Sequence, residues 1–161
     1  MDLDVKRIML KLLETQKEYA LADLENYSEA MVAVFTADGK SYVTFPKFSG
    51  EVAKIAEYTA IVERARESGA VLLITVNAGW TKVVKAASEL GDYRWGELGP
   101  HNSQRCIVLT ASGPGLQSCS LELGYAIKER GVEFDAEPEF LYGIELNLLP
   151  DWPGRQPHGS S

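Results

Sequence analysis

Residues 118–128 read Ser-Cys-Ser-Leu-Glu-Leu-Gly-Tyr-Ala-Ile-Lys, and the pattern has a period of two. Leu121, Leu123, Tyr125 and Ile127 fall on one side, and Ser118, Ser120, Glu122 and Lys128 on the other. That alternation belongs to a strand with one buried face. Glu129-Arg130-Gly131 interrupts it, after which Val132, Phe134 and Ala136 alternate with Glu133, Asp135 and Glu137, so a hairpin leads into a second strand. Upstream, Arg105 to Ser112 forms a third β-rich run that ends at Gly113-Pro114-Gly115. A three-stranded meander with residues 118–127 in its middle is the expectation on which the fold rests. With the Gly-Pro-Gly segment as the turn, Cys106 is expected opposite Glu122 and Cys119 opposite Leu109. The two thiols then lie about 10 Å apart along the ladder, on opposite faces.

Outward from the meander, Val5, Ile8, Met9, Leu12, Leu13, Tyr19 and Ala20 recur at spacings of three and four, with lysines, Arg7 and Glu14 between them. An amphipathic helix over Leu3 to Leu24 is predicted. Ala30 to Thr36 and Ser41 to Phe45 flank Asp38-Gly39, a strong hairpin signal, and Pro46 ends the second strand because it cannot donate to a ladder. A second helix is predicted from an N-cap at Ser49 to Gly69, with Val52, Ile55, Tyr58, Val62 and Ala65 as its apolar stripe. Ala70 to Val76 is apolar on both faces, as a central strand should be, which makes the second helix a crossover. Thr81 to Leu90 suits a short third helix, Asp92 to Ser103 has no period, and Leu141 to Pro150 suits one more strand or an extended arm.

The fold class expected from this order is α+β. It has a mixed, mostly antiparallel sheet with an N-terminal hairpin and a C-terminal meander, and helices packed on one face. Residues 1–150 form one domain, and residues 151–161 a tail.

Composition narrows the function. The chain has 161 residues, 45% of them apolar, and a net charge of −7. From Gly131 onward Glu133, Asp135, Glu137, Glu139, Glu145 and Asp151 face Arg155 alone. That balance argues against direct nucleic-acid binding through a basic face and favours a protein partner. Two cysteines are too few for a disulfide framework, and Met1 to Lys11 is charged throughout, so a cytoplasmic setting is expected. No apolar run approaches the roughly 18 residues of a membrane span.

Motifs for chemistry are sparse. Ile107 to Gly115 is a strand entering a glycine turn, but a dinucleotide loop would need glycine at Ser118 and a helix after it. No lysine follows for a P-loop. His101 and His158 are the only histidines, so a serine or cysteine mechanism would have to use His101 with Cys106, Ser103 or Ser112, and Ser112 is not in a nucleophile elbow. The chain carries no zinc-type spacing, and alternate carboxylates on an extended strand stand roughly 7 Å apart, unlike a calcium loop. The acidic strand reads as a solvated edge, which Pro138 also fits. No catalytic set, no metal site and no cofactor are expected.

What remains is the aperiodic loop, with Tyr93, Arg94, Trp95, His101 and Arg105 as binding candidates, because aromatics and arginine dominate protein interfaces. The expected function is a small cytoplasmic protein-binding module. The alternative is a small-molecule hydrolase or transferase using His101 as base, with Arg94 or Arg105 holding an anion.

Overall fold

The computed structural model describes residues 4–22, 30–81, 104–128, 131–135, 137–142, 149 and 152. The first helix, α1, spans Val5–Ala22, and Asp4 caps it by accepting the Arg7 N–H at 3.1 Å. Met9, Leu13, Gln16 and Ala20 are buried, at spacings of four, three and four, so a single stripe meets the sheet.

Strands β1 (Met31–Thr36) and β2 (Ser41–Thr44) pair antiparallel around the Asp-Gly turn. Gly39 has a φ of 85°, and the Asp38 carboxylate accepts from the Thr36 hydroxyl and, at 3.3 Å, from the Lys40 N–H. Those two bonds hold the Asp38 carboxyl below its usual range, the Thr36 bond contributing most.

Helix α2 (Glu51–Glu67) follows, capped by Gly50 at a φ of 88° with no side-chain hydrogen bond. The expected cap at Ser49 is therefore displaced by one residue. Its core contacts are Tyr58, Ile61, Val62 and Ala65. Val52 and Ile55, expected in the same stripe, are 85% and 58% exposed. The apolar spacing of α2 continues one turn beyond the residues that touch the sheet.

After Gly69, whose φ of 77° ends the helix, β3 runs Ala70–Thr81. It pairs antiparallel with β1 on one side and with β4 (Gln104–Ser112) on the other. Because β2 and β3 are both antiparallel to β1, they are parallel to each other, and α2 is the crossover that joins them. Thr81 closes a strand, so it does not start a helix. The rest of the expected third helix, residues 82–90, and the aperiodic loop 92–103 lie outside the described residues.

Strand β5 (Cys119–Lys128) pairs with β4 and, on its other side, with both β6 (Gly131–Phe134) and β7 (Glu139–Tyr142). The strand order is β2-β1-β3-β4-β5-β6, with β7 sharing the outer flank of β5. Every pairing among the described residues is antiparallel. β6 and β7 together act as one edge strand interrupted at residues 135–138, where the Asp135 N–H still donates to the Gly124 carbonyl at 2.9 Å. Pro138 sits in that interruption, where no ladder donor is needed. The expected last strand thus begins at Glu139, two residues before Leu141; residues 143–148 lie outside the described part.

The register of the meander differs from the expected one by two residues. Cys106 faces Gly124 and Cys119 faces Ala111, because residues 113–118 form a longer connection than a bare glycine turn. The turn itself is Gly113–Leu116, closed by the Leu116 N–H donating to the Gly113 carbonyl at 3.1 Å, with Pro114 next and Gly115 at a φ of 74°. Such a dihedral is what the third position of a type II turn requires. A shift of two preserves the faces; the two cysteines are not joined in a disulfide, and both are buried.

The α+β class holds, with an antiparallel sheet, but the helices do not share a face. Met9 and Leu13 of α1 pack with Met31, Ala33, Leu72, Ile74, Ile107 and Leu121. Tyr58, Ile61, Val62 and Ala65 of α2 pack with Val32, Val34 and Leu73, which point the other way. Alternation along β1 and β3 therefore buries both faces of the centre, and a helix covers each.

Candidate functional site

The six strands of the main path span roughly 24 Å at about 4.8 Å per step, whereas a helix covers about 10 Å. Helix α1 lies over β4 and β6, toward one end. Lys6 Nζ stands 5.4 Å from the Phe140 ring centre and 5.2 Å from that of Tyr142, and Lys17 Nζ stands 5.4 Å from that of Phe134. These cation–π contacts tie the helix to the β6–β7 edge. Among the described residues, the same face over β1 and β2 carries no helix.

A groove of about 540 Å³ lies there, between α1 and the hairpin. Ile8, Leu12 and Thr15 form its wall, on the flank of α1 away from Lys6 and Lys17, while Ala33, Phe35 and Val43 form its floor. Val43 is 51% exposed, as is Phe45 just beyond the strand at 54%. Tyr19, one turn beyond Thr15 on the same flank, is also exposed. Lys11 is the charged side chain among its described lining residues. A concave surface of this size, mostly apolar with a few polar groups at its margin, has the character of a binding site.

A second, smaller cavity of about 110 Å³ lies near the other end of α1, between Lys6, Cys119 and Tyr142. Its thiol is not poised for attack. Cys119 Sγ donates to Met9 Sδ at 3.7 Å, and burial raises its pKa against the opposing pull of Lys6. On the α2 face, Thr75, Thr110 and Ser120 stand in one row across β3, β4 and β5, all buried, with a hydroxyl contact of 3.2 Å between Thr110 and Ser120. The next row brings Glu122 opposite Glu139. Burial of the Glu122 carboxyl raises its pKa, and the Glu139 charge adds to the rise.

Of the sequence candidates, Arg105 lies on β4, opposite Trp80 on β3 and Tyr125 on β5. Tyr93, Arg94, Trp95 and His101 lie outside the described residues, so their juxtaposition with Arg105 is not part of the described structure. The segment that carries them joins Thr81 to Gln104, which face each other at the ends of neighbouring strands. The groove residues were missed by sequence reasoning. A signal was present, because α1 is apolar at Ile8 and Leu12 as well as at Met9 and Leu13, a wider stripe than one sheet contact needs. Among the described residues no helix is long and apolar enough to cross a membrane. Compared with known protein families, curated proteins and solved structures, the chain has no match.

Proposed function

We propose that this chain is a cytoplasmic protein-binding module whose docking surface is the groove between α1 and the β1–β2 hairpin. The supporting observation is the open apolar floor: Val43 and Phe35 line a cavity of about 540 Å³ beside Ile8 and Leu12, on a face that the chain covers elsewhere with its own helix. Exposing such a surface costs free energy at roughly 25 cal/mol per Å² of apolar area, so a patch of this kind marks an interaction site. The loop bearing Tyr93, Arg94, Trp95 and His101, with Arg105 at its end, would serve as a second contact region. The alternative reading, a hydrolase or transferase using His101 with Arg94 or Arg105, rests on His101 and Arg94, which lie outside the described residues, with Arg105 on β4.

The test compares proteins retained from the native host by the wild-type chain, by Val43→Glu and by the double variant Glu133→Lys/Glu137→Lys. A protein retained by the wild type and by the double variant, but lost with Val43→Glu, is the expected result. Identical retention by the wild type and Val43→Glu would remove the groove as the docking surface.

A further inference from the structure

The two edges of the sheet are guarded unequally. Along the β6–β7 edge Glu133, Glu137 and Glu139 are exposed and the ladder is interrupted at residues 135–138, both of which discourage another strand. At the other edge β2 ends the strand order, with Ser41, Tyr42 and Val43 exposed and Phe45, just beyond, exposed as well. From Ser41 to Phe45 there is neither charge nor proline, and Tyr42, Val43, Thr44 and Phe45 are all strand formers. Lys40 and Lys47 bracket this run without entering it. Among the described residues, the helices rest chiefly on β3, β4 and β6, inboard of the edge.

The hydrogen bonds of the hairpin show which backbone groups the edge presents. The Thr36 N–H donates to the Lys40 carbonyl at 2.9 Å, while the Ala37 N–H turns the other way, to the Gly69 carbonyl at 3.0 Å. Hydrogen-bonded and non-hydrogen-bonded pairs alternate along an antiparallel ladder, so Val34 with Tyr42 and Val32 with Thr44 are hydrogen-bonded. The amides and carbonyls of Ser41 and Val43 therefore face away from β1. Pro46 is buried and shares the parity of Tyr42 and Thr44, so its missing N–H takes no donor from the outward row.

A row of unpaired donors and acceptors is a template for a strand, and this one is complementary to itself. A two-fold axis normal to a sheet keeps each side chain on its own face, so the axis can pass through a residue and its equivalent. Centred on Val43, it sets Val43 against the second copy's Val43 and Ser41 against the second copy's Phe45, each as a hydrogen-bonded pair. The outward N–H and C=O groups from Ser41 to Phe45 are then satisfied. Small Ser41 leaves room for Phe45, and on the opposite face Tyr42 meets the second copy's Thr44, an aromatic against a β-branched side chain. Lys47 is carried to the second copy's Asp38-Gly39 turn, which supplies a carboxylate. We propose that the chain forms a symmetric dimer by antiparallel pairing of β2 with the second copy's β2, continuing the sheet across the axis. This inference rests on the backbone of the edge and not on the groove reading.

The test is sedimentation equilibrium of the full chain from about 1 μM to 1 mM. The wild type is expected to pass from monomer to dimer with a micromolar Kd, as suits an interface of this small size. Val43→Pro removes an outward N–H and no bond to β1, so it should stay folded in melting curves and dimerise at least tenfold more weakly. Cysteine placement gives a reading that holds even if that variant fails to fold. Val43→Cys meets its own equivalent at a Cα separation of about 5.5 Å, within disulfide reach, whereas Ser41→Cys lies roughly 13 Å from its own. Cys106 and Cys119 are buried and do not compete. Under mild oxidation Val43→Cys is expected to form a covalent dimer several times faster than Ser41→Cys. A wild type that is monomeric throughout, a folded Val43→Pro that dimerises as the wild type does, or equal crosslinking at positions 41 and 43 would each overturn the proposal.

Discussion

Gly113 lies so close to Val71 that a Cβ on it would stand 2.2 Å from the Val71 carbonyl oxygen. The opposing atom is backbone, anchored in β3, and cannot swing aside. A glycine that the sequence presents as part of a turn is thus required by clearance between β3 and the exit of β4. Gly113→Ala is expected to destabilise the domain by about 3 kcal/mol, the upper range for overpacking. For a chain of this length that lowers the melting temperature by roughly 6–12 °C. Gly115→Ala has open space and only its positive φ to contend with, so its expected cost is about 1 kcal/mol. Thermal melts of the two variants check the contrast, and equal losses would refute the clearance argument.

Tyr58 is 1% exposed, and its hydroxyl has no hydrogen-bond partner among the described residues. Its ring packs on Phe48 with centroids 6.0 Å apart. Removing an unsatisfied buried hydroxyl while keeping the ring relieves a desolvation cost, so Tyr58→Phe is expected to stabilise by about 1 kcal/mol. Burial, with the Glu57 charge second, raises the Tyr58 pKa above 10.0. The phenol's contribution is therefore present below the unfolded pKa and lost as pH rises through the folded one. Melts at neutral pH and above pH 10 should show the advantage of Tyr58→Phe widening in alkali.

Glu122 behaves in the same sense at lower pH. Its folded pKa lies above 4.5, through burial and through Glu139 across the ladder. Its contribution to stability is full below the unfolded pKa and lost as pH rises through the raised folded value. At neutral pH the carboxylate is a cost. Glu122→Gln is expected to raise stability at pH 7 by less than about 1 kcal/mol, after allowance for solvent screening, with the gain vanishing toward pH 4. A pH-independent gain would point to packing and not to charge.

The acidic edge should respond to salt. Glu133, Asp135, Glu137 and Glu139 are all exposed. Screening their repulsion is expected to raise the melting temperature modestly as the Debye length falls from about 10 Å to 3 Å. In the double variant Glu133→Lys/Glu137→Lys that rise should shrink or reverse. Salt titrations of both proteins decide the point.

Much of the sheet was legible in the sequence because its signals are local. The alternation around Leu121 and Leu123, the Asp38-Gly39 turn and the doubly apolar run from Val71 to Val76 each specify a strand within a few residues. The Cys106–Gly124 register was not legible, since it depends on how many residues the connection after Ser112 consumes. Nor was the placing of the helices. An apolar stripe such as Met9, Leu13 and Ala20 says that a helix has a buried side, but both faces of β1 and β3 are apolar and either could receive it. The groove is a further step removed, because it follows from the sideways displacement of α1 toward Phe134 and Phe140, which no stretch of sequence encodes by itself.

The contact between Met9 and Cys119 joins residues 110 positions apart. Together with the seating of Lys6 and Lys17 on rings at positions 134 to 142, it ties the first helix to the last strands. During synthesis, at about 5–20 residues per second, α1 leaves the ribosome several seconds before β5, β6 and β7 exist to receive it. Throughout that interval its apolar stripe has no completed sheet to cover it, and the growing chain carries an incompletely covered amphipathic helix. Closure of this domain is thereby completed by its C-terminal half, and a chain truncated before Cys119 would keep the side of α1 that meets β1, β3 and β4 while losing its contacts with Cys119, Leu121, Phe134 and Phe140.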